Sequence, residues 1–431
     1  MSAKRTKRII ITGAGFSAPA QLPIQNRIID KMTEEPELDF LSGNLPLENI
    51  KFLDAYIAVG LFLLNNYGKN SYGSLETEYN LICAARQARD YLNSENCKKR
   101  YEELGLGNLY SDFSKSLKSV GEEYSEICAL RNTIRAAIKE EKISVNLEDI
   151  FTSFDKSVLS SEYVHRYTYS QMDIIRYSIM RLFSYYFSKG VIDHSFDQRD
   201  YKNFVGYIKS RRTANPVTII TTNWDTLLEE YFQRQNIKYY YGFQFPYTSE
   251  DFRDKIVNEK ILLLKIHGSA NWLKCLHCGA ISVYKDNDAA SFLFEDGKHE
   301  CCSLCGAGEN SNEPSLQPEI ITPTMIKSLS NRLYSNLWGS AASEIRNATH
   351  IVFVGYSFPI ADFDFRYMLQ KNVPDTAKID VVLYNDANPN QTDAVTLKSL
   401  LPEKRYRNAF PKNIVGFHYD GFGDFFNQGF R

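Results

Sequence analysis

At 431 residues the chain is long enough for one large domain with insertions or for two to three modules. Its 43% hydrophobic and 24% charged residues are those of an ordinary globular protein, and a formal net charge of −2 gives no drive towards non-specific binding of nucleic acid or bilayers. The excess lies in the aromatics, 28 Tyr and 27 Phe, which supply core and also suit a broad protein interface.

The basic start Met1–Arg8 leads into Ile9-Ile10-Ile11, an apolar run too short for a secretory signal and read as a first β-strand over 8–12. The longest apolar stretch, Ala58–Leu64, falls far short of a bilayer span. After a turn at Gly13-Ala14-Gly15, a helix is expected from near Pro23, with Ile24, Ile28 and Ile29 on one face. From 36 to 212 the pattern becomes helical throughout, with long 3.6-residue periodicity over Glu48–Leu64, Glu76–Tyr101, Ser111–Glu140 and Tyr169–Phe187. This predicts an all-helical module inserted into the first α/β unit.

Strands and helices alternate again after Pro216. Val217–Ile220, Ile261–Leu264, His350–Val354 and Ile379–Tyr384 read as strands, Trp224–Gln235 as a helix, and Gly306–Pro318 as a loop. Short hydrophobic strands alternating with helices indicate a parallel sheet covered on both faces. The predicted fold class is therefore α/β. A Rossmann-like parallel sheet (1–35 and 213–431) would carry a helical insertion (36–212) and a small zinc-knuckle module (272–312).

Five short motifs carry the chemistry, each at a place where a parallel sheet presents its loops. Glycines at Gly13 and Gly15, followed by Ser17, let a backbone approach a pyrophosphate, although a tight turn without a ligand has the same pattern. Thr221-Thr222-Asn223-Trp224-Asp225 follows a strand, so Asn223 and Asp225 would project into the crevice or else cap the next helix. His267 in Lys265-Ile266-His267-Gly268 also follows a strand and suits a general base near neutral pH, or a structural role. Neither Asn223 nor His267 is expected in the apolar core.

Five of the eight cysteines fall between Cys275 and Cys305, a metal-site distribution of a reducing, cytoplasmic compartment. Cys275/Cys278 and Cys302/Cys305 form two C-x₂-C knuckles with 23 residues between them, the pattern of a closed structural Zn²⁺ site. Cys301 is an alternative to Cys302, and His277 or His299 to a thiolate. Gly355-Tyr356-Ser357 is a second glycine turn, followed by Asp362 and Asp364.

In chain order these pieces resemble the sirtuin superfamily: G-A-G-x-S after the first strand, T-x-N-x-D, H-G, four cysteines and a late G-x-S turn. The resemblance covers 8–35 and 215–400. It implies NAD⁺ as substrate and a structural zinc held by Cys275, Cys278, Cys302 and Cys305. It would place Gly13, Ala14, Gly15 and Ser17 on the pyrophosphate, with Gly355 and Ser357 opposite. Asn385 or Asn388 would reach the adenosine ribose, Asp225 the nicotinamide carboxamide, and Thr222 would line the cofactor. Asn223 would position a water, with His267 as base on that water or on a ribose hydroxyl.

Two departures separate this chain from the protein-deacylating members. Gln21-Leu22-Pro23-Ile24-Gln25-Asn26 stands where they carry G-I-P-x-F-R, and Thr222 and Trp224 stand where they carry Gln and Ile. With the large insertion, these features resemble sirtuin-like NAD⁺ hydrolase effectors of bacterial anti-phage defence. That resemblance implies NAD⁺ glycohydrolase activity that depletes NAD⁺. It further implies a homo-oligomer or a partner such as a HerA-type ATPase or an Argonaute, with no direct nucleic-acid or membrane binding. A protein deacylase and an NAD⁺ or ADP-ribose sensor or scaffold are the alternatives.

Overall fold

A computed structural model describes residues 6–20, 22, 28–34, 50–116, 119–143, 145, 147–160, 167–192, 198–211, 217–242, 247–248, 261–284, 289, 293–294, 302, 304–307, 315–322, 332–360, 362–383 and 396–427. The expected helix start at Pro23, the last residue of the strand ending at Tyr384, Asn385, Asn388, Cys301 and His299 all lie outside these residues. Among the described residues no helix is long and apolar enough to cross a membrane.

The predicted parallel sheet is present. Seven strands lie in the order β11-β10-β9-β1-β2-β5-β3: Val415–His418, Lys378–Val382, His350–Val354, Arg8–Thr12, Val217–Thr221, Ile261–Lys265 and Tyr239–Tyr240. All six pairings are parallel. The central strands β1, β2 and β9 are buried at nearly every position, which is why each reads as a mostly apolar run without alternation. Helices cover both sides. Among them are α10 (Arg199–Arg211), α11 (Leu227–Arg234), α12 (Arg332–Arg346), α13 (Phe363–Asn372), α14 (Thr396–Ala409) and α15 (Phe422–Asn427), and their apolar faces share one core with the strands.

The strand order also locates a crevice. The chain runs from β1 to β2 and outward on one side, then returns through β9 to build the other side. The order therefore reverses between β1 and β9, and ligands of open α/β sheets settle outside the carboxyl ends of the strands at such a point.

The inserted segment is helical, as expected, but two of its long periodic runs are broken. Glu76–Tyr101 divides into α4 (Gly73–Leu92) and α5 (Glu95–Glu103), because the Ser94 hydroxyl accepts from the Cys97 N–H and starts a new helix. Ser111–Glu140 divides into α6 (Gly107–Ser116) and α7 (Val120–Glu141) at a capping box formed by Ser119 and Glu122. The other helices of this segment are α3 (Ile50–Tyr67), α8 (Leu147–Ser160) and α9 (Tyr169–Ile192). Its last helix, α10, packs on the main sheet through Tyr201, Phe204, Val205 and Ile208, rather than with α3–α9.

A second sheet was not foreseen. Its order is β4-β7-β6-β8, built from Tyr247–Thr248, Ile281–Val283, Gly268–Cys275 and Leu316–Ile320. The loop read over Gly306–Pro318 therefore ends early, because Leu316, Gln317 and Pro318 pair antiparallel with β6. This sheet leans on α9. The Tyr177 hydroxyl donates to the Leu316 carbonyl (2.8 Å) and the Ser184 hydroxyl to that of Ala270 (2.6 Å), while the Arg181 guanidinium donates to the Leu293 carbonyl. Leu273, Cys275, Cys302 and Leu316 consequently lie in the same apolar core as α3, α7 and α9.

Candidate functional site

The turns after β1 and β9 meet at the reversal point and pack backbone on backbone. The Gly13 N–H donates to the Val354 carbonyl (3.0 Å) and the Gly15 N–H to that of Gly355 (2.8 Å). Gly355 has φ +62°, and a Cβ there would stand 2.2 Å from the Phe16 nitrogen, so only glycine fits. Two N–H groups expected to face a phosphate are thus spent on joining the turns. Ala14 is exposed at the rim, as is Ser357, while Gly13 and Ser17 are buried.

Ser17 is the hub that ties β1 to the loop after β2. Its hydroxyl donates to Asp225 Oδ2 (2.7 Å) and accepts from Asn223 Nδ2 (2.9 Å). The other Nδ2 hydrogen goes to the Gly13 carbonyl (2.9 Å). A carbonyl only accepts, so the amide orientation of Asn223 is fixed, and Oδ1 is the atom it offers to a ligand. Thr222 is held by its N–H donating to the Thr12 carbonyl (3.1 Å).

Asp225 is buried and caps the start of the next helix, the second of the two roles left open for it. Its Oδ1 accepts from the Leu227 N–H (3.1 Å), which delays α11 to Leu227 rather than the expected Trp224, and its Oδ2 holds Ser17. Complete burial raises its pKa, opposed by the charge of Lys265 and by the bonds from Ser17 and the Leu227 N–H. Lys265 is itself buried, donating to the Asp225 carbonyl (2.5 Å) and to Glu229 Oε1 (2.8 Å).

Asn223 and His267 stand two residues beyond Thr221 and Lys265, which are partners in the parallel register of β2 and β5. That register brings the two loops to neighbouring places on the carboxyl edge. His267 is 3% exposed, against the expectation that it would stand clear of the core. The reason is the turn it occupies: Ile321 donates its N–H to the His267 carbonyl (2.8 Å), and the Trp338 ring lies 6.4 Å from the imidazole. Asp362 Oδ1 approaches His267 Nε2 at 3.6 Å. Sequence reasoning noted Asp362 only as following the second glycine turn. The 94 residues between it and His267 hid the pairing.

Between the two loop residues, Trp224 points away into the helical module. Its ring stacks on Phe183 (5.7 Å, 23°) and meets Phe187 edge-on (5.6 Å), both on α9.

The cysteine knuckles converge as the spacing predicted. Sulfurs of Cys275, Cys278, Cys302 and Cys305 all lie within 4.8 Å of one another, with Cys275–Cys305 at 3.7 Å and Cys278–Cys302 at 3.6 Å. Zn–S bonds of about 2.3 Å place tetrahedral sulfurs about 3.8 Å apart, so the donor set fits Zn²⁺. Cys302 occupies the third place. His277 contributes its backbone N–H to Cys275 Sγ (3.4 Å) and is not part of the cluster. Burial works against ionising Cys275, but the N–H groups of Cys278 and His277 and the neighbouring thiols bring it down to about 7.

Comparison with known proteins locates a family domain on this framework. Residues 217–394, less than half of the chain, match the family model described as SIR2-like domain. No curated protein sequence matches the chain. Among solved structures, a sirtuin studied for substrate affinity is 9% identical, with 99% of this chain and 93% of that chain covered at a TM-score of 0.34. Sir2Tm bound to a propionylated peptide is 13% identical, covering 58% and 78% at 0.32. A Sir2 with a p53 peptide and NAD⁺ is 10% identical, covering 99% and 92% at 0.30. These superpositions are loose, and the assignment rests on the matched segment. The segment matched by the SIR2-like model runs from β2 to beyond β10 and holds the Asn223, His267, cysteine and Gly355 motifs.

Proposed function

We propose that the protein is an NAD⁺ glycohydrolase, cleaving NAD⁺ to nicotinamide and ADP-ribose. The observation that carries this reading is the fixed amide of Asn223, whose Oδ1 is left as an acceptor on the carboxyl edge next to the His267 loop. An acceptor and a base side by side suit the activation of one water molecule.

In this reading the dinucleotide lies along the rim of the Gly13–Ser17 and Gly355–Ser357 turns, with Asn385 or Asn388 at the adenosine ribose. Asp225 accepts from the nicotinamide carboxamide through lone pairs that Ser17 and Leu227 leave unused. The bond from ribose C1′ to the pyridinium nitrogen breaks with its electron pair passing to the ring, so nicotinamide leaves neutral. Water held by Asn223 Oδ1 bonds to C1′, and its proton passes to His267. Orientation carries most of the rate, with general-base help of about 10²–10⁴-fold. Zinc bound by the four cysteines would hold the second sheet together; no chemical step runs through it.

We further propose the domain division of the sequence reading, with α10 packed on the main sheet, and a role in anti-phage defence by NAD⁺ depletion. Activation would come through self-assembly or a partner such as a HerA-type ATPase; these points rest on the resemblance alone. The test is incubation of purified protein with NAD⁺ and no acylated peptide, following nicotinamide by chromatography. Release that disappears in His267→Gln supports the hydrolase. Release only when an acyl-peptide is added would make the protein a deacylase instead.

A further inference from the structure

Asp362 occupies the N-cap of α13 yet makes no side-chain capping hydrogen bond to that helix. An aspartate at this position ordinarily turns its carboxylate onto the first-turn N–H groups. Here Oδ2 accepts from the Tyr356 hydroxyl (3.1 Å) and Oδ1 faces His267 Nε2 at 3.6 Å. The side chain has been drawn off its own helix towards the imidazole.

The segment presenting it is firmly held. Phe358 takes a left-handed φ of +57° and is fully buried, with the Tyr406 ring 4.8 Å away and the Arg366 guanidinium 5.1 Å from its ring centre. The Tyr406 hydroxyl donates to the Tyr356 carbonyl (2.7 Å), and the Gly355 N–H to that of Val382 (2.9 Å). A strained backbone residue fixed by its surroundings is the usual mark of a segment whose exact direction matters.

We propose that Asp362 is the positioning residue of His267. Its carboxylate orients the imidazole, keeps the proton of the neutral ring on Nε2 so that Nδ1 carries the lone pair, and stabilises the imidazolium that forms when the base takes a proton. The 3.6 Å separation exceeds a formed hydrogen bond, and a small closure on ligand binding completes it. Tyr356, in the second glycine turn, holds the carboxylate, so the turn against the dinucleotide and the base are mechanically joined. This inference rests on the hydrolase reading for its kinetic consequence but not for the His–Asp contact itself.

The other ionisable groups around His267 are already engaged. Lys265 is bound to Glu229 and the Asp225 carbonyl on the β2 side. On the other side, the Glu319 carboxylate lies 3.8 Å from Lys274 and close to the Tyr334 hydroxyl. Asp362 presents its Oδ1 to the ring at 3.6 Å.

The experiment uses the full chain and has two arms. In the first, ¹³C-histidine NMR titrates wild type and Asp362→Asn, with His267→Gln identifying the His267 signal among the seven histidines. Removing the carboxylate should move the His267 titration about one unit lower. In the second, nicotinamide release from NAD⁺ is followed against pH. Asp362→Asn should lower kcat about tenfold or more with little change in KM, and the acid limb of kcat/KM should move to lower pH with the histidine. A purely structural aspartate would lower stability and leave both the titration and the limb in place, which overturns the proposal. If wild type releases no nicotinamide, the hydrolase reading fails by itself, and the NMR arm still decides the pairing.

Discussion

The indole of Trp224 stacks on Phe183 at 5.7 Å and 23°, so the loop carrying Asn223 and Asp225 is anchored in the inserted helices as well as on the β1 turn. Ser184, next on α9, holds the Ala270 carbonyl a few residues beyond His267. One helix therefore grips both loops of the candidate site. Phe183→Leu should cost about 0.5–1.5 kcal/mol from the lost ring pair. It should also reduce nicotinamide release well beyond that fraction of unfolded protein, and alter Trp fluorescence. Unchanged turnover in a variant with the expected loss of stability would show that α9 does not set the loop.

The cysteine cluster shares its core with α9 through Cys275 and Cys302. Cys275→Ser, or treatment with a chelator, should lower zinc content and melting temperature together, since binding to such sites contributes directly to folding. The loss should spread to the helical module and be visible as increased amide exchange in α9. Full zinc content and unchanged melting in Cys275→Ser would sink the metal assignment.

At the far side of the sheet, Asp380 Oδ2 lies 2.6 Å from His350 Nε2 and Oδ1 lies 2.9 Å from His418 Nε2, with Lys378 3.2 Å away. Burial opposes its ionisation, but these bonds hold the carboxyl far below the usual carboxylate range. A depressed carboxylate contributes stability that is present above its unfolded pKa of about 3.9 and is lost as pH falls below it. Asp380→Asn should therefore be destabilised at neutral pH and show a flatter fall in stability below about pH 4 than wild type. Parallel acid-denaturation curves for the two proteins would contradict the pairing.

Two glycines give opposite expectations for the same substitution. Gly355→Ala forces a Cβ to 2.2 Å from the Phe16 nitrogen at φ +62°, so it should be strongly destabilised and lose nicotinamide release. Gly206, inside α10, has nothing within 4 Å of the Cβ it lacks, and Gly206→Ala should gain about 0.5–1 kcal/mol. Denaturant titration of both variants checks the pair.

The strands were legible because buried parallel strands need largely apolar runs, and the cysteine cluster because two C-x₂-C knuckles have few uses other than holding a metal. The helix breaks at Ser94 and Ser119 were not, since a cap inserted in an amphipathic run does not disturb its periodicity. The second sheet escaped for a different reason. β6 is buried at seven of its eight positions and shows no alternation, and its pairing with β8 spans the cysteine knuckles. Asp362 was visible as a residue but not as a partner, because only the fold brings it to His267.

Arg8 pairs with Val217 at the start of the β1–β2 register, so the central strand waits for the whole helical module to be made before its first neighbour exists. At synthesis rates of about 5–20 residues per second, that is a delay of roughly ten to forty seconds. Through this time Ile9-Ile10-Ile11 is a sticky strand with both edges open, and its other neighbour, β9, emerges later still. The helices α3–α9, all made before β2, are positioned to collapse first and to deliver α10 and β2 back to the waiting strand. A nascent chain of this design spends its most vulnerable interval early, and chaperone demand on the ribosome should peak before residue 217 appears and decline once β2 has docked.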